Sequence, residues 1–255
     1  MKVILEVDHV EKYYGRGATR TKALDGIQFR VYENEFVGIM GASGSGKTTL
    51  LNCISTITKP SAGRILLNDT DLSLLKGNEL ADYRGRHIGF IFQQFNLFEQ
   101  LTGFENIMLP LGLQNVAVKK ARPRIEALAE KLGVTHVLDK YPTQMSGGEN
   151  QRVAACRAIM TDPQLVLADE PTGALDSHSS RELLNVLENI HQGGATILMV
   201  THDPTAASYC RRILMIKDGK IFNELLREPE ETRSHFYDRV VGLMTLVGGG
   251  SDQVL

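Results

Sequence analysis

Apolar and polar positions follow two rhythms along the chain. Val3-Ile4-Leu5-Glu6-Val7 reads as a strand, and Ile27-Gln28-Phe29-Arg30-Val31 alternates as a half-buried strand does. Between them, the polar, basic, glycine-containing stretch from Gly15 to Lys22 predicts a long hairpin loop. Phe36 to Met40 is a short, continuously apolar strand, and a glycine-rich turn starts at Gly41. Thr48 to Ile57 has helical character and stops before Lys59-Pro60, since a residue preceding proline is pushed out of helical geometry. Ile65 to Leu67 and Ile88 to Phe92 predict further strands.

From about Phe104 to Met160 the rhythm turns helical. Pro123 is expected at a helix start, with Ile125, Leu128, Ala129 and Leu132 following at helical spacing. Strand-like runs return at Leu165 to Ala168, Ala195 to Val200 and Ile213 to Ile216, and a helix over Ser179 to His191 separates the first two. Strands alternating with helices specify an α/β domain with a parallel sheet, into which the helical block is inserted. Beyond Phe222 the chain is charged, and a helix over Ser234 to Val247 then brings Phe236, Val240, Leu243, Met244 and Val247 near one face. That face is expected to pack on protein, because its charge is small and it holds no lysine to seat it on a membrane surface.

Composition narrows the class. A chain of 255 residues has ample core for one large domain or two small ones. Lys and Arg total 28 against 30 Asp and Glu, a net charge of −2, which argues against a nucleic-acid partner. No apolar run is long enough to span a bilayer, and the first eight residues already hold acids, so no secretory leader is expected. Cys53, Cys156 and Cys210 form neither a disulfide framework nor a CxxC pair, which points to a reducing, cytoplasmic setting. Cys210, beside Arg211 and Arg212, is the one thiol whose neighbours argue for a lowered pKa.

The chemistry starts at Gly41. Gly41-Ala42-Ser43-Gly44-Ser45-Gly46-Lys47-Thr48-Thr49 fits the phosphate-binding loop pattern G-x-x-x-x-G-K-[ST], between a predicted strand and a predicted helix. Glycines let successive backbone N–H groups turn inward, and the helix N-terminus adds a dipole favourable to anions. Lys47 is placed to reach the β- and γ-phosphates, and the Thr48 hydroxyl to ligate Mg²⁺. A second acidic site follows the buried run Leu165 to Ala168. There Asp169 suits the metal, and Glu170, one residue on, suits polarisation of the attacking water.

Met145-Ser146-Gly147-Gly148-Glu149-Asn150-Gln151-Arg152 stands ahead of Asp169. The order of phosphate loop, glutamine after a strand, S-G-G, acidic strand end and histidine resembles the ATPase subunits of ABC transporters, over about residues 2–222. The resemblance implies a P-loop NTPase fold with a parallel-sheet catalytic lobe, an antiparallel β subdomain and a helical subdomain inserted at about 95–158. Residues 1–222 would form the nucleotide-binding domain and 223–255 a C-terminal extension. It also implies roles. Tyr14, in preference to Tyr13, would stack on adenine. Gln93 would sense Mg²⁺ and the attacking water, and His202 would contact the γ-phosphate. Ser146, Gly147 and Gly148 would serve ATP held by a second subunit, and Asp176 would belong to a loop crossing the dimer interface. The family signature usually reads L-S-G-G-Q, so Met145 and Glu149 depart from it, and the charge of Glu149 puts a direct nucleotide contact there in doubt.

One phosphate loop and one signature per chain imply a homodimer holding two ATP. Five of the nine phenylalanines, Phe90, Phe92, Phe95, Phe98 and Phe104, fall around Gln93. They suit core packing, or a groove receiving a short helix of a membrane permease, as this segment does in ABC transporters. The long hairpin loop and Gly89-Phe90-Ile91-Phe92-Gln93-Gln94-Phe95-Asn96-Leu97 are similar to the group serving macrolide export and lipoprotein release. Ala168 to Ser177, Val200 to Lys220 and the tail with His235-Phe236 are closer to peptide-antibiotic resistance transporters of the bacitracin type, which often cooperate with a sensor kinase. Soluble ABC ATPases of DNA repair or translation are the more distant alternative.

Overall fold

The structure, a computed structural model, describes residues 2–15 and 19–248, with side chains described as far as residue 246. The first half of the chain runs β1 (Val3–Tyr14), β2 (Thr21–Tyr32), β3 (Phe36–Met40), α1 (Lys47–Ile54), β4 (Ala62–Leu67), β5 (Thr70–Asp71), α2 (Gly77–His87) and β6 (Ile88–Ile91). A helical block follows, α3 (Gly103–Leu113), α4 (Val118–Lys131) and α5 (Gly147–Ile159). The remainder is β7 (Leu165–Asp169), α6 (Ser177–Gln192), β8 (Ile197–Val200), α7 (Pro204–Ala207), β9 (Arg212–Lys217), β10 (Lys220–Leu226) and α8 (Arg233–Gly248).

Two sheets result. One is antiparallel, in the order β2-β1-β4-β5. The other has the order β10-β9-β3-β8-β7-β6; only β10 pairs antiparallel in it. β3, β7 and β8 are buried on both faces, which explains their unbroken apolar sequences. Their side chains divide by the period of two. Phe36, Met40, Val166, Ala168, Ile197 and Met199 join the core beneath the helical block, α6 and α8. Val37, Ile39, Leu165, Leu167, Leu198 and Val200 join the core shared with α1 and the antiparallel sheet.

Several boundaries differ from the sequence expectation for identifiable reasons. β1 and β2 are longer than their alternating centres, because the hairpin ladder continues through register shifts as far as Tyr14 and Thr21. Residues 16–18 of the expected hairpin loop lie outside the described residues. α1 ends at Ile54, and Thr56 beyond it takes a left-handed φ of 63°. Pro123 lies inside α4, not at its start. The buried stripe Ala121, Ile125 and Ala129 carries the helix upstream to Val118 despite the donor that proline lacks. α2 buries no residue, and β10 exposes most of its positions, so neither announces itself by apolar rhythm.

The tail packs on the protein. Phe236 and Val240 are fully buried, and Leu243 and Met244 pack against the same core. The Arg233 guanidinium stacks on Tyr209, 3.8 Å from the ring centroid, and pairs with Glu188 at 2.8 Å. The side chain of Val247 lies outside the described residues. All three cysteines are buried. Burial pushes the Cys53 thiol up to about 11 and raises Cys156 and Cys210 as well. The lowered Cys210 pKa argued from its arginine neighbours is therefore corrected: desolvation of the buried thiolate raises it.

Candidate active site

The sheet order builds the site. β3, β8, β7 and β6 are neighbours and parallel, so their C-terminal ends lie along one edge. The loop Gly41–Gly46 leaves β3, His202 follows β8, Asp169 and Glu170 end β7, and Gln93 follows β6. Residues more than 150 positions apart in sequence thereby meet at the edge where ligands of open α/β sheets bind.

A cavity of about 660 Å³ opens there. Gly41, Ala42, Ser43, Gly44, Gly46, Lys47, Thr48, Thr49, Glu170 and His202 line it. Ala23, Met215 and Met244 complete the wall; the sequence placed Met244 only on the apolar face of the tail helix, and the other two were not singled out. The motif glycines at both ends of the loop are required by geometry. Gly41 has φ +155°, and a Cβ there would collide with the Ile216 carbonyl oxygen. Gly46, at φ +105°, caps α1 without a side chain to occupy the first helical N–H groups. Lys47 is buried, and its ammonium donates to the Gly41 and Ala42 carbonyls, both at 2.8 Å. Burial lowers its pKa, opposed by Glu170 and Asp169.

The two acidic residues sit in different surroundings. Asp169 is raised, first by burial and then by Glu170, with Lys47 opposing. Its Oδ1 is buried without a hydrogen-bond partner. An unsatisfied carboxylate oxygen beside a phosphate loop fits a hard divalent cation, so the residues present suit Mg²⁺. Glu170 sits at φ +44°, a conformation that costs a non-glycine residue about 1–3 kcal/mol. Its N–H donates to Val200 at 2.9 Å, and its carbonyl accepts from Gly173 at 2.9 Å. The turn aims its Oε1 at His202 Nδ1, 3.1 Å away.

Other expected residues lie elsewhere. Tyr14 ends β1, is 45% exposed, has Lys12 over its ring at 5.1 Å and does not line the cavity. Tyr13 is taken up by Arg20, stacked 3.7 Å from its centroid, and by a hydrogen bond to Glu11. Lys22 of the basic loop pairs with Glu11 and Asp25. Gln93 is outside the cavity wall and rests on the loop after Glu170: a Cβ on Gly173 would come within 2.7 Å of its Nε2. Ser45 does not line the cavity either; its Oγ is buried without a partner.

Ser146, Gly147, Gly148 and Glu149 also stand apart from the cavity. Ser146 caps α5, and Glu149 closes a capping box. The Ser146 N–H and Oγ donate to Glu149 Oε2 at 2.7 and 2.8 Å, and His136 Nε2 lies 2.7 Å from Oε1. These bonds, the Ser146 backbone first, hold the Glu149 pKa at about 2. The two glycines fit against Leu175, Phe95 and Ser179. Asp176 caps α6, accepting from His178 N, Ser179 N and Ser179 Oγ, and these bonds hold its pKa at about 2.

The ABC transporter family profile matches residues 24–173, from the end of the hairpin through the phosphate loop and the acidic pair. The chain belongs to the ABC transporter family. It is 46% identical to the bacitracin export ATP-binding protein BceA of Halalkalibacterium halodurans, over 96% of this chain and 97% of that protein. It is 45% identical to the ABC transporter ATP-binding protein YxdL of Bacillus subtilis, over 100% of this chain and 98% of that one. Among solved structures, the dimeric post-hydrolysis state of the ATP-binding cassette MJ0796, bound to ADP and Pi, superposes with a TM-score of 0.81 at 36% identity. That match covers 88% of this chain and 100% of the cassette. This ABC subunit is an ATPase.

Proposed function

We propose that this ABC ATPase works as a head-to-tail homodimer and powers a membrane permease of the peptide-antibiotic resistance type. One observation carries the pairing. The cavity gathers the phosphate loop, Glu170 and His202, while Ser146 to Glu149 lie off its wall against α6. Each ATP would then take its phosphate loop from one chain and Ser146, Gly147 and Gly148 from the other. The dimeric state of the MJ0796 cassette supports the same arrangement.

In the mechanism, backbone N–H groups of the loop and of the α1 N-terminus hold the β- and γ-phosphates. Lys47 exchanges its carbonyl partners for phosphate oxygens. Thr48, Asp169 and Gln93 would hold Mg²⁺, which neutralises phosphate charge when bound. Glu170 orients water for in-line attack, and His202, whose Nδ1 lies 3.1 Å from Glu170 Oε1, faces the γ-phosphate. Tyr14 takes the adenine, and the loop ending at Asp176 lies at the dimer interface. ATP closes the pair, because charge is stabilised from both chains, and loss of the γ-phosphate reopens it.

Phe98 supports the permease contact. Phe104 is buried in the core under Arg122, and Phe90 stacks on Phe92 with centroids 4.1 Å apart. Phe98 is 57% exposed, beside a cleft lined by Phe95, Leu97 and Pro142. Among the described residues no helix is long and apolar enough to cross a membrane, so membrane location would come through the permease, at its cytoplasmic face. The bacitracin-type substrate class rests on the likeness to BceA, and cooperation with a sensor kinase follows from the same reading. The domain division at about residue 222 and the helical subdomain at 95–158 belong to this proposal too.

Isolation of the tagged chain from detergent-solubilised membranes tests the reading. A large integral-membrane partner, whose deletion sensitises cells to bacitracin-type peptides, is expected. A chain that co-isolates with nucleic acid or ribosomes and no permease contradicts it.

A further inference from the structure

The helix that begins at Ser146 does more than present the signature. Gln151, on α5, is completely buried. Its Nε2 donates to the Phe92 carbonyl at 2.8 Å and to the Pro171 carbonyl at 2.8 Å. Phe92 immediately precedes Gln93, and Pro171 immediately follows Glu170. Both donors of one amide are therefore spent on the peptide units beside the two residues that would handle water. Oε1 of the same amide is buried and accepts nothing, so the side chain acts here as a donor alone.

A second grip lies farther along the same helix. Arg157 donates to the Asn96 carbonyl at 2.6 Å and to the Phe95 carbonyl at 2.9 Å. Phe95 and Asn96 are both in left-handed conformation, at φ 40° and 49°. The segment carrying Gln93 is thus held by α5 on both sides, at Phe92 and at Phe95-Asn96. Glu170 itself has a left-handed backbone, and such a conformation persists only where its surroundings over-determine it. Gln93 Nε2 sits close enough to Gly173 that a Cβ there would collide, so the two loops already touch.

We propose that Gln151 is a positioning residue, which fixes the Gln93 segment and the Glu170 loop against each other from the signature helix. The proposal rests on the reading of Glu170 as the group that orients water. Removing the amide would leave the phosphate loop intact while letting Glu170 and Gln93 drift. Binding and turnover should therefore separate.

The test uses the full chain with Gln151→Met, which keeps the side chain's length and loses both donors, and Gln151→Glu, which can donate only when protonated. Glu170→Gln is assayed in parallel, and melting curves establish the folded fraction of each. For Gln151→Met, the expected result is a turnover number lower by roughly 10- to 100-fold per folded molecule, as small misplacements of reacting groups produce. ATP affinity, from displacement of a fluorescent ATP analogue, should stay within about threefold. For Gln151→Glu, relative turnover should fall as pH rises and the carboxyl loses its proton. Wild-type turnover per folded molecule in both variants overturns the proposal. So does a loss of affinity equal to the loss of turnover. A Glu170→Gln protein that hydrolyses ATP normally overturns the site reading instead, and is told apart by that control.

Discussion

Glu170 Oε1 and His202 Nδ1 stand 3.1 Å apart across the ends of two neighbouring parallel strands, at the rim of the phosphate cavity. Neither side chain is fixed by a helix. Glu170 is aimed by its left-handed backbone, and His202 by the exit of β8, where Thr201 N–H donates to Ile39 and Asp203 starts α7. In the proposed mechanism the carboxylate orients the attacking water, and the imidazole beside it keeps it aimed. His202→Ala removes the orienting partner and leaves the phosphate loop untouched. Turnover should fall roughly 100-fold or more, with ATP affinity within about threefold of wild type; steady-state kinetics and equilibrium binding together check this.

Lys47 occupies the cavity floor with its ammonium on two loop carbonyls. Lys47→Ala takes away a charged donor worth about 1.5–3 kcal/mol. ATP binding should weaken at least about tenfold, as read by calorimetry. Unchanged affinity removes Lys47 from phosphate binding.

Glu149 departs from the usual signature, yet its carboxylate is turned back on Ser146 and His136. Its pKa is about 2 in the folded chain against 4.5 for a free glutamate. A lowered carboxyl pKa stabilises the fold fully above the unfolded value, and the benefit is lost as pH falls through the folded one. Glu149→Gln keeps the capping geometry and removes the charge. The stability gap between wild type and this variant should be constant above about pH 4.5 and close towards pH 2, as measured by urea unfolding. ATPase turnover should be retained.

Phe236 anchors the tail, fully buried in the core beneath α6 and α7. Phe236→Ala should cost about 3–5 kcal/mol of stability, seen as a lower denaturation midpoint. A midpoint like that of wild type would mean that α8 does not pack here in solution.

Phe98 is the exposed member of the phenylalanine cluster. Phe98→Ala should leave ATPase turnover of the isolated chain unchanged and weaken association with the permease at least about tenfold. Pull-down from membranes separates the two effects.

Much of this was legible because the informative elements are buried on both faces or carry turn chemistry. β3, β7 and β8 read as continuous apolar runs since every apolar side chain on them is buried. The phosphate loop was legible because glycine is forced at Gly41 and Gly46. α2 and β10 were not, because surface elements with no buried stripe leave no period to find. Pro123 misled, since a helix keeps a proline when the stripe on either side of it is buried. Cys210 misled for a related reason: adjacent arginines in sequence say nothing about the burial that sets a thiol's pKa. Within the site, the sequence put Met244 on an apolar helix face and Gln151 in the signature stretch, but not the part each takes here. One comes from a tail that docks only in three dimensions, and the other works through backbone carbonyls that bear no sequence signal.

The central claim, a composite site whose water is set by Glu170, is tested most directly by Glu170→Gln with ATP and Mg²⁺, followed by size-exclusion chromatography with light scattering. The account predicts an ATP-bound dimer of twice the 28.2 kDa chain that scarcely turns over and reverts to monomer when nucleotide is removed. A variant that stays monomeric at saturating ATP, or one that hydrolyses it at the wild-type rate, contradicts the account.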